Sequence, residues 1–280
     1  VAVSLAARMD IIDNTAVALH GGGLYLQDQN TRLDVSGSDT RLVVQNNSAA
    51  QRGGGVFAKL ASSVVVSLGA RVDIISNTAV ETHGGGLRLQ NQDTRLDVSG
   101  SGTRFIVQGN SAGKSGGGVH VVFASSVAVS LAARMDIIDN TAEADNGGGL
   151  YLQQQGTRLD VTGTDTRLFV QGNTAKQHGG GVAIRSNAIL RSTSSVIVQN
   201  NTALNGNGGG LAYDDGGGTQ DGGANCLTLA LHIKYDGTYN VDKKNVEKIA
   251  TNPDATALQV YTTPNSPLSS INERDDIINQ

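Results

Sequence analysis

Three carboxylates stand where this sequence could hold a reaction. Asp34, Asp97 and Asp160 each follow an arginine by two residues, in the strings "TRLDVSG", "TRLDVSG" and "TRLDVTG", and they recur 63 residues apart. If the strings are strands two layers apart in a stack, the carboxylates lie about 9.6 Å from one another. That approaches the separation at which one carboxyl group protonates a glycosidic oxygen while the other activates a water. Catalysis of this kind needs two acids in unlike environments, so that one holds its proton and the other does not. These three share the same neighbours, Arg32, Arg95 and Arg158, and a catalytic centre has no use for three copies. Repetition argues for surface chemistry, with a carbohydrate-active enzyme as the alternative.

Further residues fall into columns of the same kind. Arg8, Arg41, Arg71, Arg104, Arg134 and Arg167 recur once per repeat, and the residue two positions on alternates: Asp10, Val43, Asp73, Ile106, Asp136, Phe169. This is either a guanidinium stack neutralised by interleaved carboxylates or a stripe for an acidic partner or polysaccharide. Exposed ion pairs contribute little, which favours the neutralised stack. Tyr25, Phe57, Arg88, His120 and Tyr151 form a mixed outward column, read as stacking between layers or as a thin platform for sugars. His20, His83 and His178 precede glycine triplets and are read as loop residues, not in successive layers as a metal site would need. Asp214, Asp215 and Asp221 in "DDGGGTQDGGANC" could meet Ca²⁺, but the stretch reads better as an exit loop. No cofactor or metal site is expected.

The elements that must position these columns are repeats. Glycine triplets begin at Gly21, Gly53, Gly84, Gly116, Gly147, Gly179 and Gly208, at intervals of 32, 31, 32, 31, 32 and 29. An asparagine precedes each: Asn14, Asn47, Asn77, Asn110, Asn140, Asn173 and Asn201, at intervals of 33, 30, 33, 30, 33 and 28. Two kinds of unit therefore alternate, and "VAVSLAARMDIIDNTA" at Val1 returns unchanged at Val127. A fixed period of this size marks a solenoid. Between Gly84 and Lys114, "GGGLRLQ", "TRLDVSG" and "TRFIVQGN" each alternate apolar and polar residues, the mark of half-buried strands. Three short strands in ~31 residues cannot close a globule, but they can make one coil of a parallel β-helix. The expected class is thus all-β, a right-handed parallel β-helix, since successive coils have the sense of right-handed crossovers. Residues 1–213 are assigned to it. The triplets are read as tight corners and the seven asparagines as structural turn residues that stack from coil to coil.

Composition agrees. The chain of 280 residues has 37 Gly, 4% aromatics and no Trp, which suits a thin layered core. The net charge of −4 divides into 16 Lys+Arg against 15 Asp+Glu before residue 212 and 5 against 10 after it. Neither part has the basic excess of a nucleic-acid binder, and no apolar run is long enough for a membrane span in this segment. Val1 opens within a repeat, so a slice of a longer chain is expected. Residues 214–280 break the pattern. "CLTLALHIKY" and "TALQVY" read as strands, "YDGTY" as a hairpin turn and "VDKKNVEKIAT" as a short helix, in a capping, docking or linker segment.

"GGGL" and "GGGV" together with "IIDN" (Ile11–Asn14), "VQNN" (Val44–Asn47) and "VQGN" (Val107–Asn110) resemble the paired "GGA" and "FxxN" repeats of chlamydial polymorphic outer membrane proteins and related large surface proteins of bacteria, algae and protists. Gly stands here for the family's Ala, and Ile or Val for its Phe. The resemblance covers about residues 1–213. It implies a β-helix on an extracellular surface acting as adhesin, stalk or filament. Its partners would be other segments or subunits of the same assembly, with glycans as a second class.

Overall fold

The computed structural model describes residues 2–206 and 208–214 and the strands Leu227–Leu229, Leu231–Lys234, Leu258–Thr263 and Ser266–Pro267. It is a parallel β-solenoid whose coils stack in register, and the described residues include no helix.

Each coil contributes to four sheets, where the alternation of the sequence predicts three strands. In one central coil the strands are Leu87–Gln90, Arg95–Ser99, Arg104–Gln108 and the two-residue Ser111–Ala112. The last of these follows Asn110 directly, and two residues are too few to show any alternation. Taking the sheets in the order of Ala2–Leu5, Arg8–Ile12, Thr15–Ala16 and Leu24–Gln27, they hold eight, seven, seven and seven strands. Every pairing among them is parallel, and each strand joins its counterparts one coil away. Six strand spacings give a rod about 29 Å long.

The alternation of long and short coils comes from the corners. Gln27 and Arg32 are separated by four residues, and Lys59 and Ser63 by three; Ser36 and Arg41 are separated by four, Ser67 and Arg71 by three. The longer corners end in threonine. The Thr94 hydroxyl donates to the Gln90 carbonyl at 2.9 Å and accepts the Ala61 amide from the coil before at 3.0 Å. Thr103 does the same with the Ser99 carbonyl and the Gly69 amide. Long corners thereby fasten the short ones.

The core is a set of ladders. Leu42, Val72, Phe105, Met135 and Leu168 stack on one another in register and are buried, as are Val44, Ile74, Val107, Ile137 and Val170 beside them. Leu87, Val119 and Leu150 form a third. Beyond the coils, Leu227–Leu229 continues the first sheet by pairing with Leu190–Ser192. Leu231–Lys234, Leu258–Thr263 and Ser266–Pro267 form a separate three-stranded sheet. The expected hairpin and short helix, Cys226, Asp215 and Asp221 lie outside the described residues.

Candidate functional site

The seven asparagines form an internal ladder. The Asn110 side-chain oxygen accepts both the backbone amide of Asn77 at 2.9 Å and its side-chain amide at 3.0 Å. Asn110 in turn donates to Asn140 and to the Ile74 carbonyl. The same links run from Asn14 through Asn47, Asn77, Asn140 and Asn173 to Asn201. A buried amide is tolerable only when its donors and acceptors are met, and here the coil above and the coil below meet them. The triplets fit around this ladder. Gly116 has φ +65 and lies against the first carbon of His120, Gly117 lies against the backbone of the next coil, and Gly118 lies against the Asn140 amide. An alanine at the third place would press on the Gly149 carbonyl oxygen and on that amide.

The arginine column of the second sheet is aligned, Arg8 through Arg167, one guanidinium per coil. Asp10 is an exposed partner of Arg8, as the sequence suggests, but Asp73 and Asp136 are not exposed. The Asp73 side chain is 0% exposed and takes Arg71 Nε at 2.9 Å and an Arg41 nitrogen at 2.7 Å. Asp136 is also buried and accepts Arg134 Nε at 2.7 Å. Val43 and Ile106 flank Asp73 in register on either side, and its contact with Arg41 links two coils. Arg104 is exposed, with Ile106 in place of an acid two residues on, and Arg167 lies over the Phe169 ring at 4.8 Å. Burial, then Arg134, lowers Arg167 from its ordinary range.

The mixed column of the fourth sheet departs furthest from expectation. Tyr25, at 45% exposed, faces solvent, but Phe57 is 0% and Tyr151 3% exposed, so neither belongs to a surface platform. The residues before the glycine triplets fold back as a second layer over the strands. His20 meets Phe57 edge-on at 5.0 Å, and His83 meets His120 at 4.9 Å, with Tyr151 beyond. Arg88 is buried among them, with its Nε on Gln90 and a guanidinium nitrogen 2.8 Å from His120 Nδ1. Neither partner is an acid. Burial, and then Arg52, pulls Arg88 down to about 9. A histidine or arginine just ahead of a glycine triplet was the sequence signal for this layer, but it gives no depth.

The seam makes stability depend on pH. Burial first, and then Arg88, Lys114 and Arg52, holds His83 down to about 4. Burial, Arg88, His83 and Arg52 hold His120 well below its ordinary 6.5. His20 is lowered by burial and by Arg52, Lys59 and Arg88. The folded rings stay neutral where unfolded ones take up protons. Their contribution is therefore full above about pH 6.5 and is lost as pH falls, by up to about 1.4 kcal/mol per pH unit for the buried His120 and by less for His83 and His20, which are partly open to solvent. The melting temperature should drop between about pH 7 and pH 5, and His120→Phe should flatten that slope. An unaltered slope in the variant would take His120 out of this account.

The first sheet carries the repeated Arg–Asp rows. Arg32–Asp34 closes at 2.6 Å, and Arg95–Asp97 and Arg158–Asp160 at 3.2 Å, all part-exposed. Between the last two rows Ser126 and Ala128 are small, and a hollow of about 250 Å³ opens there. Each carboxylate faces the same arginine in the same strand position, so the structure brings the three together in a line without making one of them different. Among the described residues no group of three or more His, Cys, Asp or Glu is placed to hold a metal.

A probable outer membrane protein of Chlamydia pneumoniae is 30% identical to this chain over 192 residues, covering 64% of the chain and 10% of the relative. The chain thus spans about a tenth of the curated relative it matches. The likeness agrees with the resemblance carried by the glycine and asparagine motifs. No family profile and no solved structure matches the chain.

Proposed function

We propose that these coils are a non-catalytic rod segment of an extracellular surface protein, holding outward columns at a fixed spacing for assembly or adhesion. The observation that carries this is the uniformity of the outward chemistry. The Arg–Asp rows at Asp34, Asp97 and Asp160 are the same device three times, and a rod that presents repeated contacts needs that sameness. The outer membrane relative supports a place at the cell surface. A polysaccharide-cleaving role is the competing reading. Incubation with pectin, alginate and glycosaminoglycans should yield no unsaturated or reducing-end products. Product release that disappears in Asp97→Asn would replace the rod with an enzyme.

A further inference from the structure

The first sheet has an approximate symmetry of its own. Leu60 and Leu68 bound one short row, and Phe123 and Leu131 bound the next short row two coils on. All four are exposed, Leu68 and Leu131 at 71% and 69%. All four sit at φ between 55 and 59, left-handed backbone that suits glycine and strains a leucine or phenylalanine. Where long coils turn the corner matching Leu68 and Leu131, they use Gly37, Gly100 and Gly163, also at positive φ. The short coils thus carry bulky apolar groups, held outward in a conformation their own side chains oppose, and Thr94 and Thr103 fasten the corners that bear Leu60 and Leu68. Strain kept at surface positions in two successive short coils points to a use for those side chains.

The midpoint of Leu60 and Leu68 is Val64, which lies in register with Leu96, the midpoint of Arg95 and Asp97. Leu96 in turn pairs with Val127, the midpoint of Phe123 and Leu131, and Val127 with Leu159, the midpoint of Arg158 and Asp160. One line along the rod therefore bisects these four rows and the Arg32–Asp34 row, whose midpoint Leu33 pairs with Val64. A two-fold axis laid on that line would set Arg opposite Asp in each charged row and Leu60 and Phe123 opposite Leu68 and Leu131 in each apolar one.

We infer that this face docks a second copy of the chain, side by side and of the same polarity, about that axis. Only a partner with the same two-coil period of about 9.6 Å matches all five rows, and an isologous pair meets that condition by construction. From the Arg32–Asp34 row to the Arg158–Asp160 row is four strand spacings, so the face is about 19 Å by about 20 Å, or about 400 Å² on each copy, half of the roughly 800 Å² per partner of stable interfaces and enough for a weak pair only. The hollow at Ser126 and Ala128 gives room for arginine side chains to swing from their own aspartate to the partner's. This pairing is lateral and does not depend on coils stacking end to end.

The test uses the whole chain in sedimentation velocity. The wild type should show a concentration-dependent dimer. The Leu68→Gly/Leu131→Gly double variant relieves strain where long coils already use glycine. It should melt no lower than wild type and bind at least tenfold more weakly. A second arm makes the rows single-signed: one chain carries Arg95→Asp and Arg158→Asp, another carries Asp97→Arg and Asp160→Arg. Each alone should be monomeric, and an equimolar mixture should restore the dimer. A monomeric wild type would overturn the inference. So would a dimer indifferent to the glycine pair, or charge variants that fail to recover on mixing while both melt as cooperatively as wild type.

Discussion

Gly117→Ala should cost this protein its folded coils. The second glycine of each triplet is where one coil crosses the next with least room. A methyl group on Gly117 would lie within 3.0 Å of the Thr141 carbonyl and of the Gly148 carbonyl oxygen, all of them backbone atoms of the adjacent coil. Overpacking in a core costs about 1–3 kcal/mol when side chains can move aside. Backbone atoms held in parallel ladders on both sides cannot, so at least about 3 kcal/mol is expected from this methyl. Domain stabilities are typically about 5–15 kcal/mol, and one such change removes a large share. Gly109→Asn is the control. Gly109 has φ +64 with its nearest neighbour 3.5 Å away, and Asn46 and Asn200 already occupy equivalent corners at φ 55 and 53. Circular dichroism melts should place Gly117→Ala far below wild type and Gly109→Asn near it. Equal melting of the two would mean that the coils are not packed as closely as their backbones indicate.

Val107→Asp should be comparably severe, for an electrostatic reason. Val107 is fully buried between Ile74 and Ile137 in the inward ladder. An aspartate there meets only hydrocarbon, and an unpartnered buried charge costs several kcal/mol even after the protein relaxes. The central coils should unfold, with loss of the sheet signal and gain of protease sensitivity. Arg95→Ser, on the outward face of the neighbouring strand, removes a half-exposed ion pair and should cost under about 1 kcal/mol. The comparison checks the inward and outward register of the whole rod. Similar losses in the two variants would refute it.

The columns themselves were readable from periodicity, but their surroundings were not. Alternation along a strand tells which side of the pleat a residue takes, and for Val107 or Arg95 that suffices. For Phe57, His120 and Arg88 it does not, because the residues ahead of the next glycine triplet return over them and turn an outward position into a buried one. Asp73 shows the same limit within a sheet. Its strand says outward, while Arg41, from the coil before, helps to close over it. The third sheet was also beyond reach, since Ser111–Ala112 and its counterparts are two residues long.

By itself the sequence determined the solenoid: the repeat interval, the parallel pairing of like with like, the inward ladders and the stacking of Asn14 through Asn201. All of these follow from local patterns repeated at fixed spacing, and each coil imposes them on the next. Only the tertiary structure decided depth and symmetry. Whether a side chain outside the pleat is wet depends on loops that pack across it from residues remote in the repeat. The alternation of the Leu60–Leu68 and Phe123–Leu131 rows with the Arg–Asp rows exists only once long and short coils are set in register, because no single coil contains both kinds of row.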